Sequence, residues 1–219
     1  SYSVMLTEDG SGYSKYNDLS VTRWREDSVL SRYGTYIYLR DTESNVVWKA
    51  TASPNKDAKK CKVTFSQDKA VYSVNYEKLD CQTEIIVSPE DHVEIRRVSI
   101  TNHTQQAKTI ETTSYGEVVL APQSSDLAHP AFSNLFIKTE FVGKYRSLLA
   151  VRKPREEHKK PMWMVHTLSL DSDFLGGIQY ETDRSRFIGR GRDMTNPLAI
   201  ENNYPLSNTV GAVIDPIVS

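Results

Sequence analysis

Apolar and polar residues alternate with a period of two along most of this chain. In the segment TYIYLRD (residues 35–41), an aliphatic set alternates with Tyr36, Tyr38 and Arg40. The same period marks residues 63–65, 72–76, 81–87 and 163–165. Because successive side chains of a strand point to opposite faces, this pattern predicts β-strands with one buried face each. We expect the face carrying Tyr36 and Tyr38 to be open to solvent.

The predicted fold class is all-β, a large two-sheet antiparallel sandwich with few short helices. Turn-forming segments separate the strands, which favours pairing between consecutive strands, and many short strands in one chain favour two stacked sheets. Asn196 and Pro197 can begin a short helical turn that runs to Ile200. In residues 92–102 the alternation changes parity at Arg96 and Arg97, which predicts a β-bulge there.

The balance of charges argues against polyanionic partners. Lys and Arg number 27, Asp and Glu number 28, and the net charge is -1. No long-range field therefore favours nucleic acid or an anionic membrane surface. Apolar runs such as residues 118–122 fall far short of the ~20 residues that a spanning helix requires. We expect a soluble domain, and the start at Ser1 without Met suggests a piece of a longer protein.

Cysteine and histidine offer little chemistry. The two cysteines, Cys61 and Cys81, are too few for a secreted disulfide scaffold, so we expect free, partly buried thiols. The five histidines are far apart and lack metal-ligand spacing. The sequence therefore predicts neither a metal site nor a cofactor.

Residues 22–27, TRWRED, form the densest group of binding side chains. Arg23 and Arg25 flank Trp24, and Asp27 follows closely. Guanidiniums, an indole and carboxylates suit a polyhydroxylated ligand or a partner surface. In an extended segment both arginines would face outward while the indole packs on the sandwich. For Trp24, a structural role capping the core is as well supported as stacking on a sugar.

No acid/base pair for glycoside chemistry can be recognised. Glu111 and Glu117 share the parity of one predicted strand, but six residues of extended chain separate them by about 20 Å. Glycosidase carboxyl groups lie about 5 to 9.5 Å apart. We interpret the two glutamates as part of a polar sheet face.

Five stretches of sequence, in order, resemble one known family. They are GYSKYNDLSVTRWRED, GTYIYLRD with VVWKA, TSYGEVVLAPQSSDLAHPAFSNLF, YETDRSRFIGRGR and NPLAIENNYPLSNTVGAVIDPI. Together they resemble the amino-terminal β-domain of the family 94 glycoside phosphorylases, and HPAFSNLF with ETDRSRFIGRGR is similar to the copy in cyclic β-1,2-glucan synthases. The resemblance covers essentially the whole chain.

The resemblance implies a galactose-mutarotase-like supersandwich formed by residues 1–219 as a single domain. In the family, catalysis belongs to an α/α barrel that follows this domain, so the chain would be a non-catalytic partner of that barrel. Family β-domains help shape the barrel's sugar site and a dimer contact. This implies contacts with the barrel, a β-glucan oligosaccharide or a second copy through residues 22–27, His129 to Asn134, Arg190 and Arg192. The parent protein is expected in a bacterial inner membrane, with this domain on the cytoplasmic side.

Two other functions stay open. An autonomous carbohydrate-binding module would stack pyranose rings on an exposed strip of Tyr36, Tyr38 and Trp48. A mutarotase-like epimerase would need a general acid and a general base on one sugar ring, for which the sequence offers only His166 with Glu181 or Glu140. Exposed coplanar rings would indicate the first function, and a histidine beside a glutamate in a deep pocket would indicate the second.

Overall fold

The computed structural model describes residues 1–25, 33–52, 61–154, 160–171, 174–201, 206–212 and 214–219. Asp27 and the rest of residues 26–32 therefore lie outside the described part of the chain. The predicted class is confirmed: the strands pair antiparallel and the described helices are few and short. The strands are distributed over three sheets where the sequence predicted two.

The largest sheet has seven strands, in the order β1-β2-β3-β10-β4-β5 with β14 also paired to β10. Its strands are β1 (Tyr2–Leu6), β2 (Gly12–Tyr16), β3 (Leu19–Thr22), β4 (Tyr36–Asp41), β5 (Val47–Lys49), β10 (Ile110–Pro122) and β14 (Ile217–Val218). The long strand β10 holds the sheet together, because it pairs successively with β4, β14 and β3.

Two smaller sheets complete the fold. The first contains β6 (Cys61–Phe65), β7 (Lys69–Tyr76), β8 (Leu79–Val87) and β9 (Glu94–Asn102). The second contains β11 (Ile137–Val142), β12 (Ser147–Arg152) and β13 (Met162–Thr167). The described helices are α1 (Gln123–Ala128), α2 (Pro130–Asn134), α3 (Arg184–Ile188) and the 3-10 turns Gly143–Tyr145 and Leu198–Ile200. The last turn confirms the prediction made from Asn196 and Pro197.

The two smaller sheets form a divided second layer on one face of the large sheet. Leu39 of β4 packs with Val74 and Cys81 of the four-stranded sheet. Leu39 is paired with Thr112 of β10, so both point to that face. Ser114, two residues further along β10, contacts His166 of the three-stranded sheet. The predicted sandwich is therefore present, with its second layer split between β9 and β13.

The opposite face of the large sheet is covered by the C-terminal part of the chain. Tyr36, Tyr38 and Tyr115 pack there against Phe187 of α3. Met194, Ala199, Ile200 and Ile217 belong to the same buried cluster. Both faces of β4 are thus covered, which is why residues of either parity are buried along it.

The predicted bulge at Arg96 and Arg97 is wrong. The pairing of β8 with β9 runs without a register shift from Leu79 opposite Asn102 to Val87 opposite Glu94. The parity change arises instead because Glu94 and Arg96 turn inward as an ion pair. The register does shift in β10, between Val118 and Ala121, where Leu120 adopts a φ of 49°.

Candidate functional site

A buried ionic cluster lies where β3, β10, α1, α3 and the C-terminal segment meet. Its members are Arg23, Tyr115, Glu117, Asp126, Asn134, Arg184 and Asp215. Buried charges are costly unless they are paired and hydrogen-bonded. The geometry of the cluster meets that requirement closely.

Arg23 is the centre of the ionic cluster. Its Nη1 donates to Glu117 Oε2 at 3.0 Å and to Asp215 Oδ1 at 2.7 Å. Its Nε and Nη2 contact the two Asp126 oxygens at 3.1 and 2.9 Å, and Nη2 also donates to Asn134 Oδ1 at 3.2 Å. The planar fork of the guanidinium can satisfy several acceptors at once, as it does here.

Arg184 completes the charge balance around Glu117. Its Nε lies 2.7 Å from Glu117 Oε1, which also accepts the Tyr115 hydroxyl at 2.9 Å. Burial alone would lower the pKa of the Arg23 guanidinium, but the hydrogen bonds to Asp126 and the charges of Glu117 and Asp215 raise it above its ordinary value. The Arg23 guanidinium is therefore charged at neutral pH.

The ionic cluster brings together three segments that sequence reasoning singled out separately. Arg23 comes from residues 22–27, and Asn134 ends the segment that begins at His129. Arg184 begins α3, which leads into Arg190 and Arg192. Arg23 and Asn134 thus meet in one buried cluster, which Arg184 joins from the helix that precedes Arg190 and Arg192.

Two of the predicted contact residues are inside this cluster and not on the surface. Arg23 was expected to face outward, yet it is only 5% exposed because Glu117, Asp126 and Asp215 surround it. Asn134 is 1% exposed. The predicted loop from His129 to Asn134 includes α2, a short helix that carries Asn134 inward, while His129 before it is exposed.

Trp24 lies half-buried beside the ionic cluster. Its Nε1 donates to Ser11 Oγ at 2.9 Å, and Ser11 Oγ in turn donates to the Tyr33 carbonyl at 2.7 Å. The indole also packs on the Tyr13 ring at 5.9 Å between centroids. Arg25 is half-buried, with its guanidinium 5.4 Å from the Tyr33 ring centre. These contacts support the structural role for Trp24.

The aromatic strip expected on β4 is not exposed. Tyr36 and Tyr38 are each 2% exposed and Trp48 is 3% exposed. The Tyr38 hydroxyl donates to the Met194 carbonyl at 2.8 Å, and burial raises its pKa well above the ordinary value. The hypothesis of an autonomous module that stacks sugars on these rings is therefore wrong.

The glycine-containing segment after α3 is packed on the chain itself. Gly189 has a φ of 82°, and a Cβ there would lie 2.8 Å from Leu198 Cβ. No heavy atom lies within 4 Å of such a position at Gly191. Arg190 is exposed, whereas Arg192 is half-buried and pairs with Glu201. Only the first glycine is explained by close packing within the domain.

The carboxylates considered for catalysis are engaged elsewhere. Glu117 lies in the ionic cluster, and Glu111 pairs with Arg40 at 2.7 Å. The polar sheet face expected for both is confirmed only for Glu111, because Glu117 is fully buried. Among the described residues, the carboxyl groups with a shifted pKa, such as Asp41 and Glu94, are shifted downward. A glycosidase acid requires the opposite.

His166 does not form either of the pairs considered for an epimerase. Its Nε2 is 2.7 Å from Ser114 Oγ. Glu181 is buried and accepts backbone N–H groups of Thr182 and Ser207, and Glu140 is exposed on β11. Burial lowers the pKa of His166 to about 4, aided by the charge of Arg96 and opposed by that of Glu94. The imidazole is thus neutral near pH 7.

A groove of about 940 Å³ opens beside the first half of β10. Ser114, His166 and Leu148 line it where the second layer is divided. Its other walls include residues 174–180 together with Ala199, Glu201 and Leu206. Phe141 and Tyr180 stack at 4.1 Å between ring centres, and the Arg146 guanidinium lies 4.8 Å from the centre of the Phe174 ring.

Sequence reasoning missed this groove because its residues come from distant, unpatterned segments. The only signal available was the pair of apolar and aromatic residues, Phe174 and Leu175, before Gly176 and Gly177. Over the described ranges, no three His, Cys, Asp or Glu side chains come together in a way that could hold a metal ion. No helix among those described is long and apolar enough to cross a membrane.

Comparison with known proteins shows that this chain is similar to parts of larger enzymes over most or all of its length. A cyclic beta-(1,2)-glucan synthase, NdvB, of Rhizobium meliloti (strain 1021) is 39% identical over 219 residues, which are 100% of this chain and 8% of that protein. N,N'-diacetylchitobiose phosphorylase of Vibrio proteolyticus is 27% identical over 217 residues, covering 91% of this chain and 25% of the enzyme. The enzyme of the same name from Vibrio furnissii is 24% identical over 207 residues, with 92% and 25% covered.

The chain therefore spans only a small part of the length of these relatives. The model of the family described as glycosyl hydrolase 94, supersandwich domain, matches residues 1–219, which is the whole chain. Family match, strand architecture and relatives agree, and the chain belongs to the supersandwich domain family of glycosyl hydrolase 94.

Proposed function

We propose that this chain is a non-catalytic β-supersandwich module that supports an adjacent α/α-barrel catalytic domain in a larger, glucan-handling enzyme. The observation that carries the proposal is that the entire chain matches 8% of a glucan synthase, and that 91% and 92% of it match 25% of two phosphorylases. Most of each relative thus lies outside the matched region and is available for catalysis. We further propose a parent protein in a bacterial inner membrane, with this module on the cytoplasmic side.

The chemistry of the described residues supports a non-catalytic role. Glu117 is enclosed by arginines, and Glu111 is engaged by Arg40. Among the described residues that line the groove, the acidic side chains are Glu111 and Glu201, and both form ion pairs with arginine. Glycoside cleavage needs one carboxyl group that can carry a proton beside a second one, and neither groove carboxylate is placed for that part.

The corner around the ionic cluster supports a docking role. Of the residues proposed for contacts, His129 and Arg190 are exposed, and Arg25 and Arg192 are half-buried. Exposed apolar side chains occur on and next to α1 and α2, namely Leu127, Phe132 and Leu135 at 54%, 54% and 57% exposure. Apolar groups rimmed by arginine are typical of protein interfaces. We propose this corner as the surface for the catalytic domain, or for a second copy of the chain in a homodimer.

A domain exchange in the Rhizobium meliloti synthase tests the proposal. Deleting the matched region should abolish formation of cyclic β-1,2-glucan, and replacing it with this chain should restore at least part of the yield. Normal glucan formation by the deletion variant would overturn the supporting role.

Charge reversal then tests the docking surface. In the exchanged protein, Arg190→Glu should lower the glucan yield without changing the melting temperature of the isolated chain. The matched control is Lys62→Glu, an exposed change on β6 in the four-stranded sheet, which should leave the yield unchanged. Equal yields from both variants would remove Arg190 from the interface.

A further inference from the structure

We propose that the groove beside β10 is a binding site for a neutral oligosaccharide, with β-1,2-linked glucose as the ligand class. The assignment of glucose rests on the proposed function, whereas the site itself rests on the shape and chemistry of the groove. Its volume of about 940 Å³ lies near the upper end of the range of ligand pockets, about 300 to 1,000 Å³. A chain of sugar units can therefore lie along it.

The apolar part of the groove suits the faces of pyranose rings. Phe174 and Tyr180 are half-buried in its wall. The Phe174 ring is steadied by Arg146 on one side, and Tyr180 is steadied by its stack on Phe141. Aromatic rings held in this way offer apolar area at little cost in conformational entropy.

The polar part of the groove suits hydroxyl groups. Glu111 is 45% exposed at its side chain, and Arg40, which is 10% exposed, fixes its carboxylate at 2.7 Å. Ser114 and His166 form a hydrogen-bonded pair between neutral groups in the same wall. Carboxylate, hydroxyl and imidazole can each accept or donate a hydrogen bond to a sugar hydroxyl.

The charges around the groove favour a neutral ligand over an anion. Arg40 is matched by Glu111, and Glu201 by Arg192. Lys108, also in the wall, lies 3.1 Å from Asp41 and 3.0 Å from Glu43. The third cation of the wall, Arg146, lies over the Phe174 ring. Since the other two have carboxylate partners, a phosphate group would meet a net positive field of only about one charge.

Calorimetric titration of the 219-residue chain with linear β-1,2-gluco-oligosaccharides tests the site. Phe174→Ala and Ser114→Ala should each weaken binding about tenfold, as expected for loss of one stacking face or one hydrogen bond to a ligand. Trp163→Ala is the matched control, because Trp163 is an aromatic residue that is 52% exposed on β13 and does not line the groove. Inorganic phosphate and β-1,4-linked cello-oligosaccharides serve as competing probes.

The results for the groove variants and the control together decide whether the groove binds the oligosaccharide. Loss of affinity in the groove variants with an unchanged Trp163→Ala variant supports the site. Loss in Trp163→Ala alone would place the sugar on the outer face of the three-stranded sheet and overturn it, as would tighter binding of phosphate. If Ser114→Ala fails to fold by circular dichroism, Phe174→Ala and Arg146→Gln decide. Absence of oligosaccharide binding to the folded chain overturns this site but leaves the proposed supporting function, which the domain exchange tests separately.

Discussion

Arg23 and Glu117 are 94 residues apart in the chain, yet their side chains meet at 3.0 Å with exposures of 5% and 0%. Arg23 follows directly after β3, and Glu117 lies in the middle of β10, where β14 also pairs. Their contact therefore joins the N-terminal strands, the central strand and the C-terminal segment. It explains why a side chain that suggested ligand binding is instead part of the framework.

Replacing Arg23 by Ala should destabilise the domain by about 3 to 5 kcal/mol. The substitution leaves the carboxylates of Glu117 and Asp126 buried without their main partner, and an uncompensated buried charge has that cost. Arg190→Ala, an exposed control, should change the free energy of unfolding by less than about 0.5 kcal/mol. Urea denaturation followed by circular dichroism measures both. Equal stability of the two variants would show that the ionic cluster does not hold the corner together.

Trp24 and Trp163 offer a matched pair of indoles. Trp24→Ala removes a half-buried ring and its hydrogen bond to Ser11, and we expect a loss of about 2 kcal/mol, below the range for a fully buried Trp. Trp163→Ala removes a ring that is 52% exposed and should cost less than about 0.5 kcal/mol. A reversed order of the two losses, measured in the same urea series, would contradict the assignment of Trp24 as an anchor.

The strand pattern was predictable because period-two alternation depends only on local pleating. The alternation alone did not predict the burial of β4 correctly, because it indicated one face open to solvent and both faces are covered. Tyr36 and Tyr38 are covered by Phe187 and Ile200, residues about 150 positions later that carry no local sign of that packing. Composition could not show this coverage, and the mistaken aromatic strip follows directly from it.

The ionic cluster was also not predictable from the sequence, because the partners of its buried charges are distant in the chain. A charged residue at a strand position is normally assigned to the surface. Arg23, Glu94 and Arg96 break this expectation because each meets an opposite charge from within the fold. The parity change in β9 was therefore interpreted as a bulge, when the true cause is an inward-facing ion pair.

His166 makes the stability of the domain depend on pH. Its pKa is lowered from 6.5 to about 4 in the folded chain, so the unfolded state binds a proton first as the pH falls. The stabilising contribution is complete above pH 6.5 and is lost progressively down to about pH 4. Between pH 7 and 4.5, wild type should lose roughly 2 kcal/mol more than His166→Gln. Equal losses of unfolding free energy by wild type and His166→Gln between these pH values, measured by urea denaturation, would contradict an imidazole that is neutral at pH 7 in the folded chain.

The two thiols should react at different rates. Cys81 is buried, and burial raises its pKa to about 11, with a smaller opposing effect of Thr83. Its thiolate fraction near pH 8 is about a hundredfold below that of an ordinary thiol. Cys61 is half-buried on β6, an edge strand. In titration with a disulfide reagent, Cys61 should be modified first and Cys81 only after denaturant is added. Simultaneous modification of both would contradict the burial of Cys81.

The central claim, that this chain is a supporting module without catalytic activity of its own, is tested most directly by phosphorolysis with the purified chain. The chain is incubated with inorganic phosphate and either linear β-1,2-glucan or N,N'-diacetylchitobiose, and the sugar 1-phosphate released is measured. We predict no release above a protein-free blank with either substrate, while circular dichroism shows the chain to be folded. Phosphate-dependent release that follows the folded chain through purification would contradict the claim.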